Sequence, residues 1–122
     1  YLYHPLHPAI LRTIRYIVQV AHAEGIRVSL CGEMAGDPAY TLVMLGLGLD
    51  ELSMPAAAIP RIKRIVRRCT LVESQQLTEE LVQLPTVQAI EDRVRQSMCP
   101  RFLDELGTPR PWQQVPGGEV ER

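Results

Sequence analysis

The stretch Ile26-Arg27-Val28-Ser29-Leu30-Cys31-Gly32-Glu33-Met34-Ala35-Gly36-Asp37 decides the fold. Its first six residues alternate: Ile26, Val28 and Leu30 face one way, and Arg27, Ser29 and Cys31 face the other. That is the period of a β-strand with one apolar and one more polar face. Gly32 ends the strand, so Cys31 stands at its C-terminal end on the more polar side. Strand ends on a rigid scaffold are where α/β enzymes present reactive groups, and glycine lets the backbone approach a ligand.

Helical patterns flank this strand. Upstream, Ile10, Leu11, Ile14, Ile17, Val18 and Ala21 recur at helical spacing, with Pro8 suited to the first turn and Gly25 to the stop. Downstream, Asp37 caps a helix from Pro38 to about Gly46 that ends at Gly46 and Gly48, and a second short strand follows from Glu51 to Met54. Pro55 to Ile59 is a small-residue connection. A helix from Pro60 then puts Ile62, Ile65, Val66 and Cys69 on one face, with Arg61, Lys63, Arg64, Arg67 and Arg68 around the rest. Thr70 and Glu73 have capping-box spacing ahead of a Leu77, Leu81 and Leu84 stripe. Thr86 starts a last helix with Val87, Ile90, Val94 and Met98 inward, and Cys99 precedes Pro100 at a helix end. Residues 107–122, rich in proline and glycine, are expected to carry little order.

Composition narrows the function classes. Thirteen basic and fourteen acidic side chains in 122 residues leave a formal charge of -1, so no global field favours nucleic acid or an anionic membrane. Three cysteines, spaced 38 and 30 apart, fit neither a disulfide framework nor a paired-cysteine metal motif. No apolar run approaches the length of a membrane span and no signal peptide is present, so a cytoplasmic protein without membrane insertion is expected. Helix, strand, helix, strand, helix is a βα alternation, which implies parallel strands. Two parallel strands leave open edges that need neighbours, and with the abrupt start at Tyr1 the chain reads as a piece of something larger.

Leu30-Cys-Gly-Glu-Met-Ala-Gly-Asp37, Leu45-Gly-Leu-Gly-Leu-Asp-Glu-Leu-Ser53 and Ile59-Pro-Arg-Ile-Lys63 together resemble the C-terminal end of Enzyme I of the phosphoenolpyruvate-dependent phosphotransferase system, or its nitrogen-branch paralogue. Tyr3, Pro5, Pro8 and His22-Ala-Glu-Gly25 extend the likeness, which covers roughly residues 1–106. It implies an α/β fold: the last two βα units and C-terminal helices of a (β/α)8 TIM barrel, predominantly helical as a fragment and incomplete on its own. It further implies that phosphoenolpyruvate gives its phosphoryl group to a histidine of the same enzyme, and thence to a carrier protein. Cys31 would then protonate the enolpyruvate to pyruvate. A thiol suits that step, since its ordinary pKa near 8.5 keeps the proton on sulfur at neutral pH. Gly32 and Glu33 are the supporting candidates, the first for close substrate approach and the second as a hydrogen-bond partner of the thiol. The resemblance also implies magnesium, held by residues outside this chain. It implies a phosphocarrier partner reached through an N-terminal domain, and a homodimer. Alone, the fragment is expected to be inactive.

Two other readings stay beside this one. The chain is a dimerisation module of the same enzyme, or the C-terminal domain of a pyruvate phosphate dikinase or phosphoenolpyruvate synthase, which share a similar cysteine turn. Cys69 and Cys99 read as packing residues. His4, His7 and His22 read as structural or surface residues, because no set of metal ligands accompanies them. The basic face of the helix from Pro60 reads as a solvated surface.

Overall fold

The computed structural model describes residues 4–107. Residues 1–3, with Tyr3 of the resemblance, and the tail from residue 108 onward lie outside the described residues. Helix α1 spans Pro8–Ala23, with Pro8 in its first turn and the His7 side chain accepting the Ala9 amide at 3.2 Å. At its other end Gly25 takes φ +69°, and the Ile26 amide returns to the Ala21 carbonyl at 2.8 Å. This is the left-handed glycine stop that a side chain would strain.

Strand β1, Ser29–Cys31, pairs in parallel with β2, Glu51–Ser53, in the register Ser29 to Glu51, Leu30 to Leu52 and Cys31 to Ser53. Both strands are shorter than the alternation predicts. The reason lies at Asp50: its carboxylate accepts the Val28 amide at 2.7 Å, while its own amide donates to the Val28 carbonyl at 2.9 Å. A side chain thus replaces one rung of the ladder, and Ile26 to Val28 run outside regular pairing. The two faces nevertheless separate as expected. Leu30 and Leu52 are half-buried against the helices, whereas Ser29, Cys31, Glu51 and Ser53 are exposed on the other side.

Between the strands the chain forms a one-turn helix α2, Glu33–Gly36, which the sequence reading did not anticipate. A 3-10 turn Pro38–Tyr40 and helix α3, Thr41–Gly46, follow. Asp37 caps this segment as expected, accepting the Ala39 amide at 3.0 Å. After β2, a 3-10 turn Ala56–Ala58 leads into α4, Ile59–Arg68. Helix α5, Leu71–Gln83, opens with the full Thr70–Glu73 capping box. Helix α6, Val87–Leu106, is capped by Thr86. It runs on through Pro100 with a break at Phe102, φ -128°, where the sequence reading ended it.

The core gathers around α3. Leu42, Val43 and Met44 are buried among Leu11 of α1, Ile65 of α4, Leu77 and Leu81 of α5, and Ile90, Val94, Met98 and Phe102 of α6. The described residues are therefore mostly helical, with one small parallel sheet at an edge. Among them, no helix is long and apolar enough to cross a membrane.

Candidate active site

Cys31 ends β1 as an exposed, free thiol. The chain then turns sharply because Gly32 adopts φ +91°, ψ -164°, a conformation that L side chains rarely take. A Cβ at Gly32 would meet nothing within 4 Å, so within this chain the backbone angle rather than crowding calls for glycine. Gly36 is the crowded position: a Cβ there would lie 3.3 Å from that of Met54, just after β2. Absence of a side chain at 36 lets the turn after β1 close upon the turn after β2.

Those two turns border a cleft of about 580 Å³ lined by Gly32, Glu33, Gly36, Asp37, Tyr40, Pro55 and Ala58. It lies at the C-terminal ends of both strands, beside the end that carries Cys31. Its walls are mainly apolar or glycine, with two carboxylates, Glu33 and Asp37; Asp37 is buried and engaged as a cap. Glu33 opens α2 and is exposed, and among the described residues no hydrogen bond links it to the Cys31 thiol. The structure thus brings Cys31, Gly32 and Glu33 together at one strand end. The cleft, Tyr40 in its wall and Ser53 beside Cys31 were not singled out from sequence, although the Glu51-Leu52-Ser53 alternation carried the signal for Ser53.

The remaining candidates have structural partners. His22, at the end of α1, shares a 2.8 Å hydrogen bond with the Asp50 carboxylate. Asp50 is held below the ordinary carboxylate range, first by the Val28 amide and then by His22. His7 is the α1 cap. No group of three or more His, Cys, Asp or Glu side chains is placed to hold a metal ion among the described residues. Cys69 donates to the Val66 carbonyl at 3.5 Å, and burial pushes its thiol up, which makes it a poor nucleophile. On the basic helix α4, Arg68 pairs with buried Glu105 at 2.9 Å and donates to the Arg101 carbonyl at 2.6 Å. Both Arg68 and Arg101 cover the Phe102 ring at 5.2 Å.

Comparison with known proteins agrees in one direction. The family described as "PEP-utilising enzyme, PEP-binding domain" matches residues 1–71. The phosphoenolpyruvate-protein phosphotransferase of Haemophilus influenzae is 38% identical over 104 residues, which is 85% of this chain and 18% of that protein. The protein of that name from Staphylococcus carnosus is 43% identical over 96 residues, 79% of this chain and 17% of its own length. A third, from Buchnera aphidicola, is 40% identical over 86 residues, 70% of this chain and 15% of its own. The chain therefore spans less than a fifth of the length of the curated relatives it matches.

Proposed function

The chain belongs to the family of PEP-binding domains of PEP-utilising enzymes, and from that premise we propose that it supplies the carbon acid of a phosphoenolpyruvate-protein phosphotransferase, with Cys31 as the proton donor. The observation that carries the reading is the placement of an exposed thiol at the C-terminal end of a parallel strand, followed by a glycine in a left-handed turn. Parallel α/β barrels keep their chemistry at that end of their strands. Among the described residues the sheet has two strands, so its outer edges can pair with further strands, and the polar face with Ser29, Cys31, Glu51 and Ser53 is exposed. We read β1 and β2 as the last two strands of a (β/α)8 barrel whose other strands belong to a longer polypeptide, with residues 1–106 as its C-terminal portion. In that reading the polar face lines the barrel interior.

The chemistry follows from the groups present. Loss of the phosphoryl group from phosphoenolpyruvate to a histidine of the longer protein leaves the enolate of pyruvate. The thiol gives its proton to the methylene carbon: the S–H bond breaks, a C–H bond forms, and the carbon-carbon π electrons make that bond as the carbonyl is restored. A thiolate remains and takes its proton back from water. Gly32 keeps the strand end free of a side chain, and Glu33 stands beside the turn as a supporting residue. Magnesium and the phosphate-gripping groups belong to the longer protein in this account. Transfer to a phosphocarrier, a cytoplasmic setting and a homodimer belong to the same proposal.

The test uses the longer protein. Cys31→Ala should still bind phosphoenolpyruvate, by calorimetry, while pyruvate formation falls about a hundredfold or more, the usual weight of one acid-base group. Unchanged turnover would overturn the assignment. A second reading, an interaction module, draws on the exposed apolar side chains of α1, Ile10, Ile17 and Val20. It predicts self-association that survives Cys31→Ala.

A further inference from the structure

The register of the sheet puts one residue beside Cys31 that the reading above does not use. Cys31 is paired with Ser53, and both are the last residues of their strands. Paired residues of parallel strands point to the same face, about 4.8 Å apart in the hydrogen-bonding direction. Both side chains are on the exposed polar face, and neither is packed into the helical core. Rotation about the two Cα–Cβ bonds is therefore free to bring the hydroxyl and the sulfur within hydrogen-bond distance.

The other groups near the thiol are poorly suited to help it. Glu33 follows it in the chain and Glu51 shares its face two residues before Ser53; both are carboxylates, which accept rather than donate and repel a thiolate. Asp37, in the cleft wall, is committed to the Ala39 amide. Ser53 offers a neutral O–H donor on the same face, at the same level as the sulfur.

We propose that Ser53 is a positioning residue for Cys31, its hydroxyl donating to the sulfur as the proton leaves and so orienting the thiol and stabilising the thiolate. The inference rests on Cys31 being the proton donor. The hydroxyl gives up no proton: its hydrogen bond strengthens as S–H breaks and relaxes when water returns the proton.

The test compares Ser53→Ala, Ser53→Thr and Cys31→Ala in the longer protein. Ser53→Ala should lower kcat about tenfold, the weight of one hydrogen bond to a charged group, and leave KM for phosphoenolpyruvate nearly unchanged. Its alkaline limb of activity should move upward, because a less stabilised thiolate forms at higher pH. Alkylation of Cys31 at fixed pH, followed on its own peptide by mass spectrometry, should slow by about the same factor, about tenfold. Ser53→Thr keeps the hydroxyl and should restore both readouts. Wild-type alkylation and pH profile in Ser53→Ala, with Cys31→Ala inactive, would overturn the role of Ser53 alone. Full activity of Cys31→Ala would instead remove the reading on which it rests.

Discussion

Gly46 shows how a single hydrogen atom sets the packing of the core. A Cβ at this position would lie 2.0 Å from the Thr78 hydroxyl and 2.1 Å from the Ser74 carbonyl oxygen, both on α5. The first neighbour can rotate away; the second is helix backbone and cannot. Alanine gains about 1 kcal/mol of helix propensity over glycine, but forcing α3 and α5 apart costs more, about 3 kcal/mol. Gly46→Ala should therefore lower the urea midpoint of unfolding, and an unchanged midpoint would show that α5 can shift without loss. From sequence, Gly46 read as a helix stop. It closes α3 by close approach, while Gly48, which the sequence offers as the other half of the same stop, takes the left-handed turn at φ +87°. Spacing reveals that a glycine ends a helix; which backbone comes near it depends on partners more than twenty residues away, beyond the reach of local pattern. Cys31 is the opposite case. Strand alternation and the glycine after it located the residue at the strand end and on the more polar face, because both are local.

Caps were similarly legible. Thr70 accepts the Glu73 amide at 3.2 Å while the Glu73 carboxylate accepts the Thr70 amide at 2.8 Å, as the spacing predicts. Thr70→Ala should cost about 1 kcal/mol of stability, read as a lower melting temperature. At the β1–β2 junction the signal was weaker, because the Asp50 side chain stands in for a rung of the ladder. Its carboxyl is depressed chiefly by the Val28 amide, so its contribution is complete above its ordinary value of 3.8 and is lost as pH falls through the lower folded value. Amide exchange at Val28 should accelerate in that acid range, and Asp50→Ala, which removes the acceptor, should show fast exchange already at neutral pH. Slow exchange in Asp50→Ala would mean that the backbone ladder alone holds the junction.

At the scale of the whole molecule, the apolar face of α1 is wider than the surface it covers. Leu11 and Val18 are buried, while Ile17 is 50% exposed and Ile26, after the helix, 60% exposed. Hydrophobic periodicity records all the burial a segment was selected for, and in the proposed barrel that includes burial against strands and helices of the longer protein. On the proposed reading this is why the sequence stripe on α1 exceeds the buried one. Open strand edges and exposed aliphatic side chains favour association, so the isolated chain should sediment as a dimer or larger species at micromolar concentration. A strict monomer would contradict the view that these surfaces await neighbours. The central claim, that Cys31 exchanges a proton with carbon, has a more direct test. By microscopic reversibility the longer protein should exchange the methyl protons of pyruvate with solvent deuterium, followed by proton NMR. The account predicts that Cys31→Ala slows this exchange about a hundredfold or more while pyruvate still binds; exchange at the wild-type rate would contradict it.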